Sequence, residues 1–97
     1  MRSGRRARHP LLHVAVRCSD LPRTRFGFSV GRRVGSAVVR NRVKRRLRAI
    51  MRELPVRPGL DVVAIAQDAA GGASYAELRD AAAQCLRRAR GLEGGAS

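Results

Sequence analysis

The sequence predicts an α+β sandwich with element order β-β-α-β-α, on three observations. Residues 11–17 and 25–31 alternate apolar with other residues at the period of two that marks a half-buried strand. Residues 60–67 form a Val- and Ile-rich run between turn residues and read as a third strand. Two stretches, 36–54 and 74–90, repeat their apolar residues at helical spacing. Strands that each bury one face and helices that each bury one stripe pair off as packed layers.

The elements follow in order. Residues 1–8 are Arg-rich, hold a single apolar residue after Met1, and are expected to be a flexible basic N-terminus. Residues 9–90 are expected to be one domain and residues 91–97 a flexible tail. In 11–17 (LLHVAVR), Leu12, Val14 and Val16 share one face, and Leu11, His13, Ala15 and Arg17 the other. Ser19-Asp20-Leu21-Pro22 is turn material. In 25–31 (RFGFSVG), Phe26, Phe28 and Val30 share one face, while Gly27, Ser29 and Gly31 leave the other nearly bare. The short 18–24 connection predicts that these two strands pair as an antiparallel hairpin. Ser36 is placed to cap the first helix, which Pro55 and Pro58-Gly59 end. After the third strand and a loop at 68–73, Ser74 and Glu77 make a capping box that starts the second helix. Leu78, Ala82, Cys85 and Ala89 line its apolar stripe.

The chain has 97 residues, with 21 Lys+Arg against 7 Asp+Glu, a formal charge of +14 and a pI of about 11.9. That length supports one small domain and excludes a large enzyme with its own deep substrate pocket. The charge makes polyanions the leading partner class, because each cation set beside a phosphate releases condensed counterions. It is also uneven. Residues 1–57 carry 17 of the cations and 2 acids, and nine cations lie between Arg32 and Arg52. Twenty of the 21 are Arg, whose planar fork suits phosphates and bases; a GC-rich coding bias explains the same preference. Cys18 and Cys85 are far apart, without a CxxC or a nearby His pair, and read as free thiols rather than zinc ligands. No run approaches the ~20 apolar residues of a membrane span, so the chain is expected to be cytoplasmic.

The 36–54 helix divides cleanly at about 100° per residue. Val39, Val43, Leu47, Ile50, Met51 and Leu54 fall in one arc; Asn41, Arg45, Arg48 and Arg52 stack opposite. Arg42 and Arg46 flank one edge, Arg40 and Lys44 the other. Like charges at i,i+4 repel, so this face needs either solvent or a polyanion. Arg32-Arg33 stand just before the helix N-terminus, where phosphate is favoured by the dipole and the free N–H groups. Acids are scattered, with no carboxylate pair or His/nucleophile arrangement for catalysis. His13, on the non-core strand face with Arg17, is either a stacking partner for a base or an incidental exposed histidine.

Residues 25–48, RFGFSVGRRVGSAVVRNRVKRRLR, closely resemble the signature of the bacterial ribonuclease P protein subunit, centred on Arg40-Asn41-Arg42 followed by Val43-Lys44-Arg45. LDVVAIA and the Ser74-Tyr75-Ala76-Glu77-Leu78 helix start match in order and spacing. The resemblance covers roughly residues 4–90. It implies an α/β sandwich with a left-handed βαβ crossover, against the usual right-handed rule. It also implies a protein that assists a catalytic RNA in removing the 5′ leader from precursor tRNA. Hydrolysis then belongs to the RNA and its Mg²⁺ ions, which the RNA mainly binds, and no residue of this chain is catalytic. The implied partners are the ribonuclease P RNA and precursor tRNA, with no membrane and no required protein partner. The implied RNA face is Arg32, Arg33, Arg40, Asn41, Arg42, Lys44, Arg45, Arg48 and Arg52, with Arg40 snorkelling from the core edge. The implied leader cleft includes His13, Arg17, Gly27 and Ser29. The sequence departs from the family in three ways. No basic, aromatic-bearing helix precedes Gly4, as after a misplaced start or a truncation. Arg32-Arg33 and Ser36 replace the usual Lys-Lys and Asn. Gln67 stands where the third strand usually ends in Arg. A stand-alone basic RNA-binding protein of ribosomal or chaperone type is the alternative.

Overall fold

The computed structural model describes residues 4–93. A four-stranded sheet is built from β1 (Arg5–Arg8), β2 (Leu12–Cys18), β3 (Arg25–Ser29) and β4 (Leu60–Ala66). Two helices, α1 (Ala37–Glu53) and α2 (Tyr75–Arg88), complete the described part, with short 3₁₀ turns at Arg32–Val34 and Asp68–Gly72. The predicted order β-β-α-β-α holds, with β1 added ahead of it. Arg5–Arg8 was expected to be flexible because only Ala7 among its four residues is apolar, too little for a visible alternation. It forms a strand by backbone pairing to β2, with Ala7 buried opposite Val14. Its place is also fixed from outside the sheet, where Arg88 of α2 donates to the Arg8 carbonyl at 3.0 Å.

The spatial strand order is β1-β2-β4-β3. The expected β2–β3 hairpin is not formed. Instead β4 lies between the two, antiparallel to β2 and parallel to β3, so that α1 is the crossover of a β3–α1–β4 unit. Alternation identified both segments as strands but carries no information about the neighbour. The deciding feature is β4 itself, apolar on both faces (Val63 and Ile65 as well as Leu60, Val62, Ala64 and Ala66), which is the composition of an interior strand.

Both helices cover one face of the sheet. Leu12, Val14 and Val16 of β2 and Leu60, Val62, Ala64 and Ala66 of β4 meet Val43, Leu47, Ile50 and Met51 of α1 and Leu78, Ala81, Ala82, Cys85 and Leu86 of α2 in one core. The small residues of α2 let its backbone lie close to the sheet. The Cys85 Sγ sits 3.7 Å from the Leu12 carbonyl, and burial pushes its thiol pKa up. Cys18 is exposed, and neither cysteine is paired.

Each helix start is capped as the sequence predicts. The Ser36 hydroxyl accepts from the Val39 N–H at 3.3 Å. Ser74 and Glu77 exchange bonds of 2.8 and 3.1 Å. The approach to α1 depends on a glycine: a Cβ on Gly71 would stand 2.1 Å from the Val34 carbonyl oxygen, so the two 3₁₀ turns can pack only with hydrogen there. At the other end the 91–97 stretch is tied down as far as it is described. Gly91 is buried, its N–H donates to Leu86, and Leu92 bridges to Val56.

Candidate nucleic-acid interface

The long helix displays the division read from its sequence. Val43, Leu47, Ile50 and Met51 are buried, while Asn41, Arg45, Arg48 and Arg52 are exposed. Arg32 and Arg33 are exposed in the turn before Ser36. Arg40, Arg42, Lys44 and Arg46 are half-buried along the two edges. Arg40 stands half-buried at the core margin with its Nε buried and without a hydrogen-bond partner, and the Nε of Arg42 is in the same position. Arg42 and Arg46 turn toward the protein: Arg46 Nη1 donates to the Ala73 carbonyl at 3.0 Å, and Arg42 Nη2 reaches the Gly71 carbonyl at 3.5 Å. These two arginines fasten the 68–73 loop to α1, which leaves Arg32, Arg33, Asn41, Arg45, Arg48 and Arg52 as the freely presented part of the basic surface.

A second surface is the face of the sheet that no helix covers. Side chains at paired positions project to the same side, so the register lays it out in rows. One row reads Arg8, His13, Ile65, Ser29 from β1 to β3; the next Arg6, Ala15, Val63, Gly27; the next, from β2, Arg17, Asp61, Arg25. All four residues expected in a cleft, His13, Arg17, Gly27 and Ser29, therefore share this face. Val63 and Ile65 are 41% and 40% exposed at its centre, an apolar strip rimmed by arginines. A shallow depression of about 730 Å³ opens at its Val63 end, beside Arg6, Arg17, Arg25, Gly27 and Asp61. Phe26 and Phe28 project to the other side of the sheet, opposite Val62 and Ala64, and stack on each other with ring centroids 6.4 Å apart.

Arg6, Arg8, Arg25, Asp61, Val63 and Ile65 belong to this surface and were not singled out from the sequence. Arg6 and Arg8 lie in a stretch with too few apolar residues to show a strand period, and the exposure of Val63 and Ile65 follows only from both helices lying on one side. In the sequence Asp61 is one acid among scattered ones, with nothing near it in the chain to mark a partner. In the structure it is gripped by Arg25 through Nε–Oδ1 and Nη2–Oδ2 bonds of 2.9 and 3.1 Å, with Arg17 Nε 3.7 Å away. The hydrogen bonds from Arg25 hold the Asp61 carboxyl below its ordinary range, and Asp61 in turn raises the Arg25 guanidinium. Asp61 thus stays ionised, and the Arg17–Asp61–Arg25 row keeps one net positive charge.

Among the described residues no group of three or more His, Cys, Asp or Glu is placed to hold a metal ion. None of their helices is long and apolar enough to cross a membrane.

The family model for ribonuclease P matches residues 1–90. The chain belongs to the ribonuclease P protein family. It is 47% identical to the ribonuclease P protein component of Streptomyces avermitilis, over 89% of this chain and 81% of that one. It is 45% identical to that of Xanthomonas euvesicatoria, over 93% of this chain and 63% of that one. The ribonuclease P protein of Thermotoga maritima superposes with a TM-score of 0.78 at 25% identity, covering 88% of this chain and 83% of the other. A mutant ribonuclease P protein of Staphylococcus aureus gives a TM-score of 0.81 over 92% of this chain and 77% of that one, at 24% identity, which speaks to the fold alone. The protein is thus a component of ribonuclease P, and its partner is the ribonuclease P RNA.

Proposed function

We propose that the protein assists the ribonuclease P RNA in removing the 5′ leader from precursor tRNA by dividing two tasks between its two surfaces. The exposed part of the basic helix, Arg45, Arg48, Arg52 and Asn41 with Arg32 and Arg33 before it, neutralises phosphates of the catalytic RNA. The open sheet face takes the single-stranded leader. The observation that carries this reading is the convergence of His13, Arg17, Gly27 and Ser29 on one uncovered face with an apolar strip inside an arginine rim. Bases of a single strand need an apolar or planar surface, and its backbone needs cations alongside. Folded RNA duplex offers mainly phosphate and sugar, which suits a convex basic helix.

Hydrolysis is assigned to the RNA and its Mg²⁺ ions, which activate water and stabilise the leaving oxygen. This chain's residues bind and position; its high local charge also lowers the Mg²⁺ concentration needed by offsetting phosphate repulsion. The test is reconstitution with a bacterial ribonuclease P RNA at limiting Mg²⁺. Adding the protein is expected to raise cleavage of precursor tRNA and to tighten its binding over that of leaderless tRNA. Equal affinity for the two substrates would overturn the leader assignment; no gain in cleavage would overturn the whole reading.

A further inference from the structure

A single-stranded ligand needs something planar to stack on, and the open face carries no Phe, Tyr or Trp among the described residues. Both phenylalanines project to the helix side, and Tyr75 is on α2. The row nearest the start of β4 offers a different flat group. Arg25 is held by both oxygens of Asp61 in a fork-to-fork pair, and such a pair fixes the guanidinium plane as well as its position. The backbone beneath is equally constrained. Arg25 pairs in register with Asp61, and the preceding Thr24 hydroxyl accepts from the Leu60 N–H at 3.1 Å and donates to the Arg57 carbonyl. The Arg25 side chain is nevertheless 63% exposed.

The neighbouring floor is bare. Gly27, two residues along the same face, has no side chain, and a Cβ built there would meet only Val63 Cγ2 at 3.8 Å. Arg6, Arg17, Arg25, Gly27, Asp61 and Val63 line the depression at this point.

We propose that Arg25, held flat by Asp61, is the platform against which one leader base stacks, with Gly27 and Val63 as the floor beneath it. Asp61 is a positioning residue: it does not touch the leader but orients the group that does. Guanidinium planes stack on nucleobases, and a platform already immobilised loses little rotamer freedom when the base arrives. Asp61 also offsets part of the local charge, so the site favours a base over a phosphate there. This inference rests on the leader reading of the face.

The experiment uses the reconstituted holoenzyme with precursor tRNA and leaderless tRNA, and with precursors carrying one abasic nucleotide at successive leader positions. Arg25→Lys keeps the charge and loses the plane. It is expected to weaken precursor binding about tenfold, toward the low end of what one stacked base contributes, with leaderless tRNA and the salt slope unchanged. At one leader position, an abasic nucleotide should weaken the unmodified enzyme yet cost nothing further in Arg25→Lys. Asp61→Asn should behave the same way, to a smaller extent. Gly27→Val, which fills the floor without touching the ion pair, should reproduce the loss. Equal weakening of precursor and leaderless tRNA would make the pair a fold pin and overturn the proposal. Tighter binding by Asp61→Asn, or an unaltered abasic pattern, would overturn it as well. Wild-type holoenzyme that does not distinguish precursor from leaderless tRNA would instead defeat the leader reading itself.

Discussion

At the scale of single residues, Glu53 shows how much an acid's setting matters in so basic a chain. It is the one acid of α1 and sits in its last turn, where the helix dipole disfavours a negative charge. Two groups of α2 compensate: Arg79 Nε donates to Oε1 at 2.9 Å and the Tyr75 hydroxyl to Oε2 at 3.1 Å. These bonds, led by that from Arg79, lower the Glu53 pKa below its ordinary 4.5. A carboxyl with a depressed folded-state value stabilises the fold fully above its unfolded value and loses that contribution as pH falls through the folded one. Glu53→Gln is therefore expected to melt below wild type at neutral pH, by a small margin since the cluster is solvent-exposed. The two melting curves should converge as pH is lowered below about 4.5. Melts recorded across that range check it, and a gap that does not change with pH would show that the ion pair is not its source. Nothing in the sequence pairs Glu53 with Arg79, because the two meet only after α1 and α2 dock.

At the scale of elements, α1 was the most legible part of the molecule and its edges the least. Helical periodicity separates Val43, Leu47, Ile50 and Met51 from Asn41, Arg45, Arg48 and Arg52 without reference to anything outside the helix. What lies beside an edge is a tertiary fact. Hence Arg42 and Arg46 read as part of the basic surface, whereas the structure gives them carbonyl partners in the 68–73 loop. The two kinds of arginine should separate experimentally. Arg45→Glu is expected to weaken RNA binding and to reduce the salt slope by roughly one contact, with little change in stability. Arg46→Ala is expected to destabilise the fold by about 1.5 kcal/mol, the low end for a hydrogen bond from a charged group because this one is only partly buried, measured by denaturant unfolding. A normal melt for Arg46→Ala would show that the loop does not depend on this contact. The strands divide the same way. Their existence was legible from alternation, while their neighbours were not, and β1 was invisible because three of its four side chains are arginines that its outer positions and sheet edge tolerate.

At the scale of the whole molecule, the fold separates a neutral packing layer from charged surfaces with little material. Among the described residues, eight of the 22 that are buried and apolar are alanines, so cohesion is concentrated in a few large aliphatic side chains. Leu47, fully buried where α1 meets the sheet, is one of them. Leu47→Ala should cost about 2–5 kcal/mol, the range for a buried leucine whose surroundings cannot collapse. For a domain this small, that is a large fraction of its total stability. Chemical denaturation checks it; a loss below 1 kcal/mol would mean that the alanine-rich layer repacks around the gap.

The interior position of β4 also has a consequence for synthesis. β1, β2 and β3 are all synthesised before Leu60–Ala66, yet β2 and β3 have no direct ladder to each other and each awaits that segment. Until it arrives the nascent chain can close only the β1–β2 pair, and β3 trails as an unpaired strand whose phenylalanines lack their cover. Such edges invite pairing with other chains. The arginines flanking them repel a second, equally cationic nascent chain. The charge that suits the finished protein to RNA thus also guards it during the interval when its sheet has a gap in the middle.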